Sequence, residues 1–257
     1  MSSMTTSPRI ALVTGGNRGI GRSTAVHLAR DGVDVVLTYR TNADEADAVV
    51  AEIGALGRTA VALPLDVGVV SSFGAFDERF ADALDRTWGR DTFDILVNNG
   101  GMSANAAFAD VTEADFDRLV DVHFKGVFFL TQRLAPRLAD GGTIVNVSSG
   151  LTRFTFPERV AYGSVKGAVE VLTRYLAAEL GPRGITANTI APGAVATDFS
   201  GGMVRDNPAV QEHLAAQTAL GRHAVADDIG PAIAALVGAG NHWVTGQRIE
   251  VSGGMHL

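Results

Sequence analysis

The sequence predicts an α/β fold in which one doubly wound parallel sheet is flanked by helices on both faces. Strand and helix patterns alternate from end to end, the βαβ rhythm of parallel sheets. Several strands are continuous apolar runs, as expected where both sheet faces are covered. A Gly-rich turn follows the first strand and leads straight into a helix. The 257 residues are 46% hydrophobic and 19% charged, enough to bury a large core.

Residues 9–13 read as a short strand, and the Ala-rich stretch 20–31 as the helix after the turn. Residues 33–38 (VDVVLT) form a second strand, followed by a helix over 43–56, a strand over 59–63, a helix over 73–87 and a strand over 93–97. A long helix lies within 113–138, then a strand over 143–147, a helix over 160–180 and a strand over 186–190. A helix over 227–237 and a strand over 247–251 close the pattern. Residues 1–8 are small and polar, an expected loose tail before a single domain over 9–257.

Composition narrows the function. The net charge of −7, without a basic run, argues against a nucleic-acid partner, since phosphate neutralisation needs clustered Lys and Arg. With no cysteine, disulfides, thiolate metal sites and cysteine nucleophiles are excluded. The start lacks a signal-peptide pattern, and no apolar run approaches the roughly 20 residues of a membrane span. A cytoplasmic protein without membrane partners is expected. No metal site is expected: His27, His213, His223, His242 and His256 show no ligand spacing.

The turn Thr14-Gly15-Gly16-Asn17-Arg18-Gly19-Ile20-Gly21 sits where a dinucleotide binds. Small residues admit pyrophosphate close to the backbone, and the helix N-terminus supplies N–H groups and positive dipole. Its G-x-x-x-G-x-G spacing differs from the commonest fingerprint. The second strand ends in Tyr39-Arg40-Thr41-Asn42, with no acid for a ribose 2′-hydroxyl. Arg40 and Arg18 instead offer positive charge to a 2′-phosphate, which points to NADP(H).

Tyr162 and Lys166, at i and i+4 of a helix, share one face. A tyrosine of pKa about 10 becomes a usable acid/base when a nearby ammonium favours the phenolate. Ser148-Ser149 ends the strand before them, where a hydroxyl can bond a substrate oxygen that gains charge.

Together the Thr14–Gly21 turn, Asn98-Asn99-Gly100-Gly101, the serine pair, Tyr162/Lys166 and Ala191-Pro192-Gly193 with Thr197 resemble the short-chain dehydrogenase/reductase family, a Rossmann-type fold. The tail Val244-Thr245-Gly246-Gln247 and Val251-Ser252-Gly253-Gly254 is similar too, so the likeness runs from Arg9 onward. It implies Ser149 as the catalytic serine, Tyr162 as general acid/base, and Lys166 lowering the tyrosine pKa while binding the nicotinamide ribose. It also implies a cofactor surface of Gly15, Asn17, Arg18, Gly19, Ile20, Gly21, Tyr39, Arg40, Thr41, Asp66, Val67, Asn98, Gly100, Pro192, Gly193, Val195 and Thr197, with Asp66 and Val67 at adenine. The implied reaction is hydride transfer between NADP(H) and a carbonyl/alcohol substrate, as in the 3-oxoacyl-carrier-protein reductases. A polyol or hydroxysteroid dehydrogenase is the alternative within the family, and a non-catalytic nucleotide-binding regulatory protein the alternative outside it.

The chain departs from the family pattern at His123, where an asparagine usually holds a water that links the lysine to solvent. A histidine can hold such a water and can add a pH dependence near neutrality. Gly100 and Ser252 stand where alanine and aspartate are usual. Residues near 198–220 read as a substrate lid with glycine hinges. Met102, Arg153, Phe154, Phe156, Phe199 and Met203 are the expected substrate contacts, mostly apolar. The likeness implies a homotetramer.

Overall fold

The computed structural model describes residues 8–257, so the expected tail lies, except for Pro8, outside the described residues. From the start, β1 (Ile10–Val13) turns into α1 (Gly19–Arg30), β2 (Asp34–Tyr39) into α2 (Ala43–Ala55) and β3 (Ala60–Pro64) into α3 (Phe73–Trp88). Next come β4 (Phe93–Asn98), α4 (Glu113–Val120), a π-helical turn (Asp121–Lys125) and α5 (Gly126–Leu134). Then follow β5 (Leu138–Val147), α6 (Val160–Leu180) and β6 (Thr186–Pro192). The remainder is β7 (Val195–Ala196), α7 (Met203–Asp206), α8 (Pro208–Ala216), β8 (Ala224–Val225), α9 (Ala226–Leu236) and β9 (Arg248–Val251).

Seven strands form one parallel sheet in the order β3-β2-β1-β4-β5-β6-β9. β1 and β6 are buried along their whole length, which is why β1 reads Ile-Ala-Leu-Val without alternation. One face carries the core built with α1, α2 and α9, including Val26, Val49, Ile53 and Ile233. The other packs against Phe76, Phe80 and Leu84 of α3 and Leu130 and Leu134 of α5. Local chemistry fixes the helix ends. The Asn42 side chain accepts from Glu45 N at the start of α2, and Asn207 does the same for two N–H groups of α8. Gly89, at φ +61°, ends α3 in the left-handed conformation that glycine adopts without strain.

The chain winds outward from β1 to β3, then returns to start β4 on β1's other side. The switch point therefore lies between β1 and β4, where a crevice opens at the strands' carboxyl ends. Two details differ from the sequence expectation. The helix expected within 113–138 is interrupted by the π turn, and its last residue, Leu138, already belongs to β5. The expected lid holds two short helices, and residues beside it form the two-stranded β7-β8 ladder. Elements this short carry too few residues for a hydrophobic period to show. No described helix is long and apolar enough to cross a membrane, and no cluster able to hold a metal occurs among the described residues.

Candidate active site

A cleft of about 1090 Å³ opens over the switch point and runs from the Gly-rich turn to the lid. Its floor at one end is backbone. Thr14 Oγ1 accepts from the N–H groups of Asn99 and Gly100, both at 2.9 Å, so the turns after β1 and β4 are tied together. Asn99 Nδ2 donates to the carbonyls of Thr14 and Gly15. A Cβ on Gly21 would lie 2.1 Å from the Gly15 carbonyl oxygen, and one on Gly16 would lie 2.7 Å from Leu37 Cβ. Gly15 itself has φ +63°. Only glycine permits this close approach of turn, helix and strand, which leaves the N-terminal N–H groups of α1 open to the cleft.

The other expected nucleotide contacts, Asn17, Arg18, Gly19, Ile20, Tyr39, Arg40, Thr41, Asp66, Val67, Gly100, Pro192, Gly193, Val195 and Thr197, all line the cleft. Asn17 is held by Glu45 of α2, its Nδ2 donating at 2.7 Å. Arg18 faces Asp198 across the cleft mouth at 3.8 Å. These residues fit a dinucleotide with a phosphorylated ribose: a glycine cradle for pyrophosphate, the exposed guanidinium of Arg18 in the turn, and that of Arg40 at the end of β2 with no acid beside it. Asn98 does not line the cleft. It is buried, and its amide donates to Asn146 at 2.8 Å and Thr131 at 3.0 Å, bracing β4 against its neighbours. Asn99 faces the cleft in its place.

At the other end the strand-to-helix crossing from β5 to α6 brings Ser149, Tyr162 and Lys166 together. The Ser149 hydroxyl accepts from Leu151 N at 3.2 Å, which pins the loop that carries it. Behind that loop Glu170 accepts from Ser148 at 2.8 Å, Thr152 at 2.7 Å and Arg248 Nε at 2.9 Å. Lys166 is buried and donates to the Val147 carbonyl at 2.7 Å, with Nζ 5.7 Å from the Tyr162 ring centre. Burial pushes the lysine pKa down to about 7. Burial also dominates at Tyr162, raising its pKa above the ordinary value, while the Ser149 hydroxyl and the Arg159 charge pull the other way. In the protein alone, burial outweighs any lowering of the tyrosine pKa by Lys166. Burial thus disfavours the charged form of both side chains.

His123 is presented by the π turn, an insertion that re-aims side chains within a helix. Its Nε2 lies 2.7 Å from the Met102 carbonyl, and its ring stands edge-on to Tyr162 with centres 5.2 Å apart. The Met102 N–H also lies 3.2 Å from Nε2, so both Met102 contacts fall on that nitrogen, and the buried Nδ1 has no partner among the described residues. Burial, followed by the Lys166 charge, holds the histidine pKa well below its usual value. A neutral ring follows, and the expected titration near neutrality does not.

Met102, Phe154, Phe156, Phe199 and Met203 line the substrate half as expected. Arg153 does not. Its guanidinium grips Glu250 at 2.6 and 2.7 Å and donates to the Met255 and His256 carbonyls, fastening the carboxyl-terminal tail. That clamp brings Met255 into the cleft wall, a residue that no local pattern could have assigned to it. Arg159, Leu151, His213 and Leu214 were also missed. Only Arg159 carried a signal, since it stands just before the helix expected over 160–180 and three residues before Tyr162.

Residues 15–256 match the family model described as enoyl-(acyl carrier protein) reductase. An uncharacterized oxidoreductase of Methylorubrum extorquens is 38% identical over 248 residues, covering 96% of this chain and 97% of that protein. Among solved structures, the promiscuous reductase LugOII, which catalyses keto-reduction at C1 during lugdunomycin biosynthesis, is 40% identical. It superposes with a TM-score of 0.92, covering 97% of this chain and 98% of its own. The angucycline C-6 ketoreductase LanV, solved with bound NADP, is 38% identical with a TM-score of 0.91, covering 96% and 95%.

Proposed function

The chain belongs to the short-chain dehydrogenase/reductase family and is an oxidoreductase, and we propose that it reduces a ketone with NADPH. The observation that carries the reading is one cleft holding both halves of the chemistry, the glycine cradle with Arg18 and Arg40 at one end and Ser149, Tyr162 and Lys166 at the other. The NADP bound to LanV and the keto-reduction ascribed to LugOII support it.

The bound cofactor would supply a hydride to the carbonyl carbon. Tyr162 would give its phenolic proton to the carbonyl oxygen as negative charge develops there, and burial keeps that proton in place until it is needed. Ser149 would hydrogen-bond the same oxygen, from a loop fixed by Glu170 and Arg248. Lys166, with a pKa near neutrality, would hold the nicotinamide ribose and return a proton toward Tyr162. His123 would hold the water behind that lysine through its unpartnered Nδ1. Asp66 and Val67 would border adenine, and Arg18 and Arg40 the 2′-phosphate.

The substrate walls, Phe154, Phe156, Phe199, Met102, Met203 and Met255, suit a bulky apolar frame, in keeping with the angucycline substrate of LanV. A 3-oxoacyl thioester is the second reading, supported by the acyl-carrier description of the family model. The exposed Phe116, Phe128, Phe129 and Tyr175 of α4, α5 and α6 support the homotetramer.

The test follows NADPH absorbance against cyclic aromatic ketones, aliphatic ketones and 3-oxoacyl thioesters. Tyr162→Phe should leave NADPH affinity unchanged and cut turnover roughly 10²- to 10⁴-fold, the usual worth of a positioned proton donor. A variant that keeps most of the activity would remove Tyr162 from the mechanism, and a strict preference for thioesters would select the second reading.

A further inference from the structure

Most cleft-side and lid-side arginines near the reacting groups already have a carboxylate. Arg18 faces Asp198, Arg205 pairs with Asp198 and Asp206, and Arg153 with Glu250. Arg159 has none among the described residues. Its guanidinium is half-buried in the wall of the substrate half, and its only hydrogen-bond contacts among the described residues are the Ser103 hydroxyl at 3.5 Å and the Met203 sulfur at 3.9 Å. Both are long, and sulfur is a weak acceptor. Glu158 acts on it through space only. A guanidinium carries five donors in a rigid fork, and leaving most of them unmatched in a partly desolvated wall is costly unless a ligand supplies the acceptors.

Position gives the ligand its geometry. Arg159 caps the start of α6, and Tyr162 and Lys166 follow at i+3 and i+7. The three side chains line one cleft, with Lys166 buried in its wall and the Arg159 charge close enough to act on Tyr162. Phe154, Phe156 and Phe199 wall the same space, and the Phe199 ring centre is 5.9 Å from that of Tyr162. A molecule whose ketone reaches Tyr162 thus lays its next ring between aromatic walls and presents its outer edge to Arg159.

We propose that Arg159 is a specificity-determining residue that selects aromatic ketones bearing an anionic oxygen, a carboxylate or an ionised phenol, on the ring edge remote from the reacting carbonyl. The planar fork matches a carboxylate in two parallel bonds and a phenolate in one. The proposal rests on the ketone-reductase reading for its reaction but not for its binding event.

The test separates the two. Binding of 2-naphthoate to the NADP⁺ complex should be roughly 10- to 100-fold tighter in the wild type than in Arg159→Met, the worth of one charged hydrogen-bonded pair. Arg159→Lys should recover part of the loss. In turnover, 6-acetyl-2-naphthoate should show the same loss on Arg159→Met in its KM, while the KM of its methyl ester does not move and any change in kcat through Tyr162 is shared by both. The 6-hydroxy analogue should gain affinity in the wild type only as pH rises through its own phenol pKa, which distinguishes phenolate from carboxylate recognition. Equal affinity of wild type and Arg159→Met for 2-naphthoate overturns the proposal. So does an equal loss of turnover for acid and ester with a displaced pH profile and no difference in KM, which would make Arg159 an electrostatic support for Tyr162. Tight naphthoate binding without reduction of any ketone would retain the anion site and sink the reductase reading instead.

Discussion

The two ends of the cleft are built from different materials. At the cofactor end the surface is backbone: the turns after β1 and β4 are cross-tied through Thr14 and Asn99, and Cβ atoms at Gly16 and Gly21 would collide with strand and turn. At the substrate end it is side chain, with Phe199 and Met203 still partly exposed and the lid running through three consecutive left-handed residues, Ser200, Gly201 and Gly202. A backbone-built site recognises what every dinucleotide shares, whereas a side-chain site recognises one substrate and can change without disturbing the fold.

The largest effect that would expose this difference is Gly21→Ala. Its methyl would stand 2.1 Å from a backbone oxygen and 2.6 Å from Asn99 Nδ2, so the turn itself must move. NADPH affinity should fall by up to roughly 150-fold, since overpacking of about 1–3 kcal/mol falls directly on the phosphate-binding N–H groups. Titration of NADPH fluorescence measures it, and thermal unfolding checks that the protein remains folded. Affinity within threefold of wild type would mean that the cradle is not where the cofactor sits.

The same difference explains what the sequence could reveal. The Gly-rich turn, Arg40 and the Tyr162/Lys166 pair were legible because local geometry dictates residue type at those places, and the parallel sheet followed from the alternation of strands and helices. Met255 and Leu214 were not legible, because only tertiary packing carries them to the cleft. Arg153 looked like a substrate contact because a lone arginine before two phenylalanines has no local sign of its partner. Glu250, 97 residues away, is that partner. His123 was expected to stand in for an asparagine, but its charge state depends on a burial that one-dimensional reading does not give.

Arg40→Asp tests whether side-chain recognition also operates at the rim of the cofactor end. Arg40 is exposed beside the end of β2, so its removal should leave the glycine cradle intact. The NADPH-to-NADH preference should fall roughly 10- to 100-fold, from the loss of a charged pair of about 1.5–3 kcal/mol with added repulsion. Steady-state KM values for both cofactors give the ratio. An unchanged ratio would assign the 2′-phosphate to Arg18 alone.

The smallest expected effect belongs to Gly201→Ala, and it is the most pointed check on the contrast. Gly201 has a positive φ of 67°, as Gly21's neighbour Gly15 does at 63°, but a Cβ there meets no atom within 4 Å. The cost is therefore conformational only, about 1 kcal/mol for a non-glycine residue in the left-handed region. A penalty of that size, confined to a lid that folds over the substrate half, shifts its closed population by roughly fivefold. The ketone KM should move by that factor and the NADPH KM not at all. If instead NADPH affinity collapsed as in Gly21→Ala, the lid would be part of the cofactor site, and the division between a backbone-built end and a side-chain-built end would have to be redrawn through Asp198 and its pairing with Arg18.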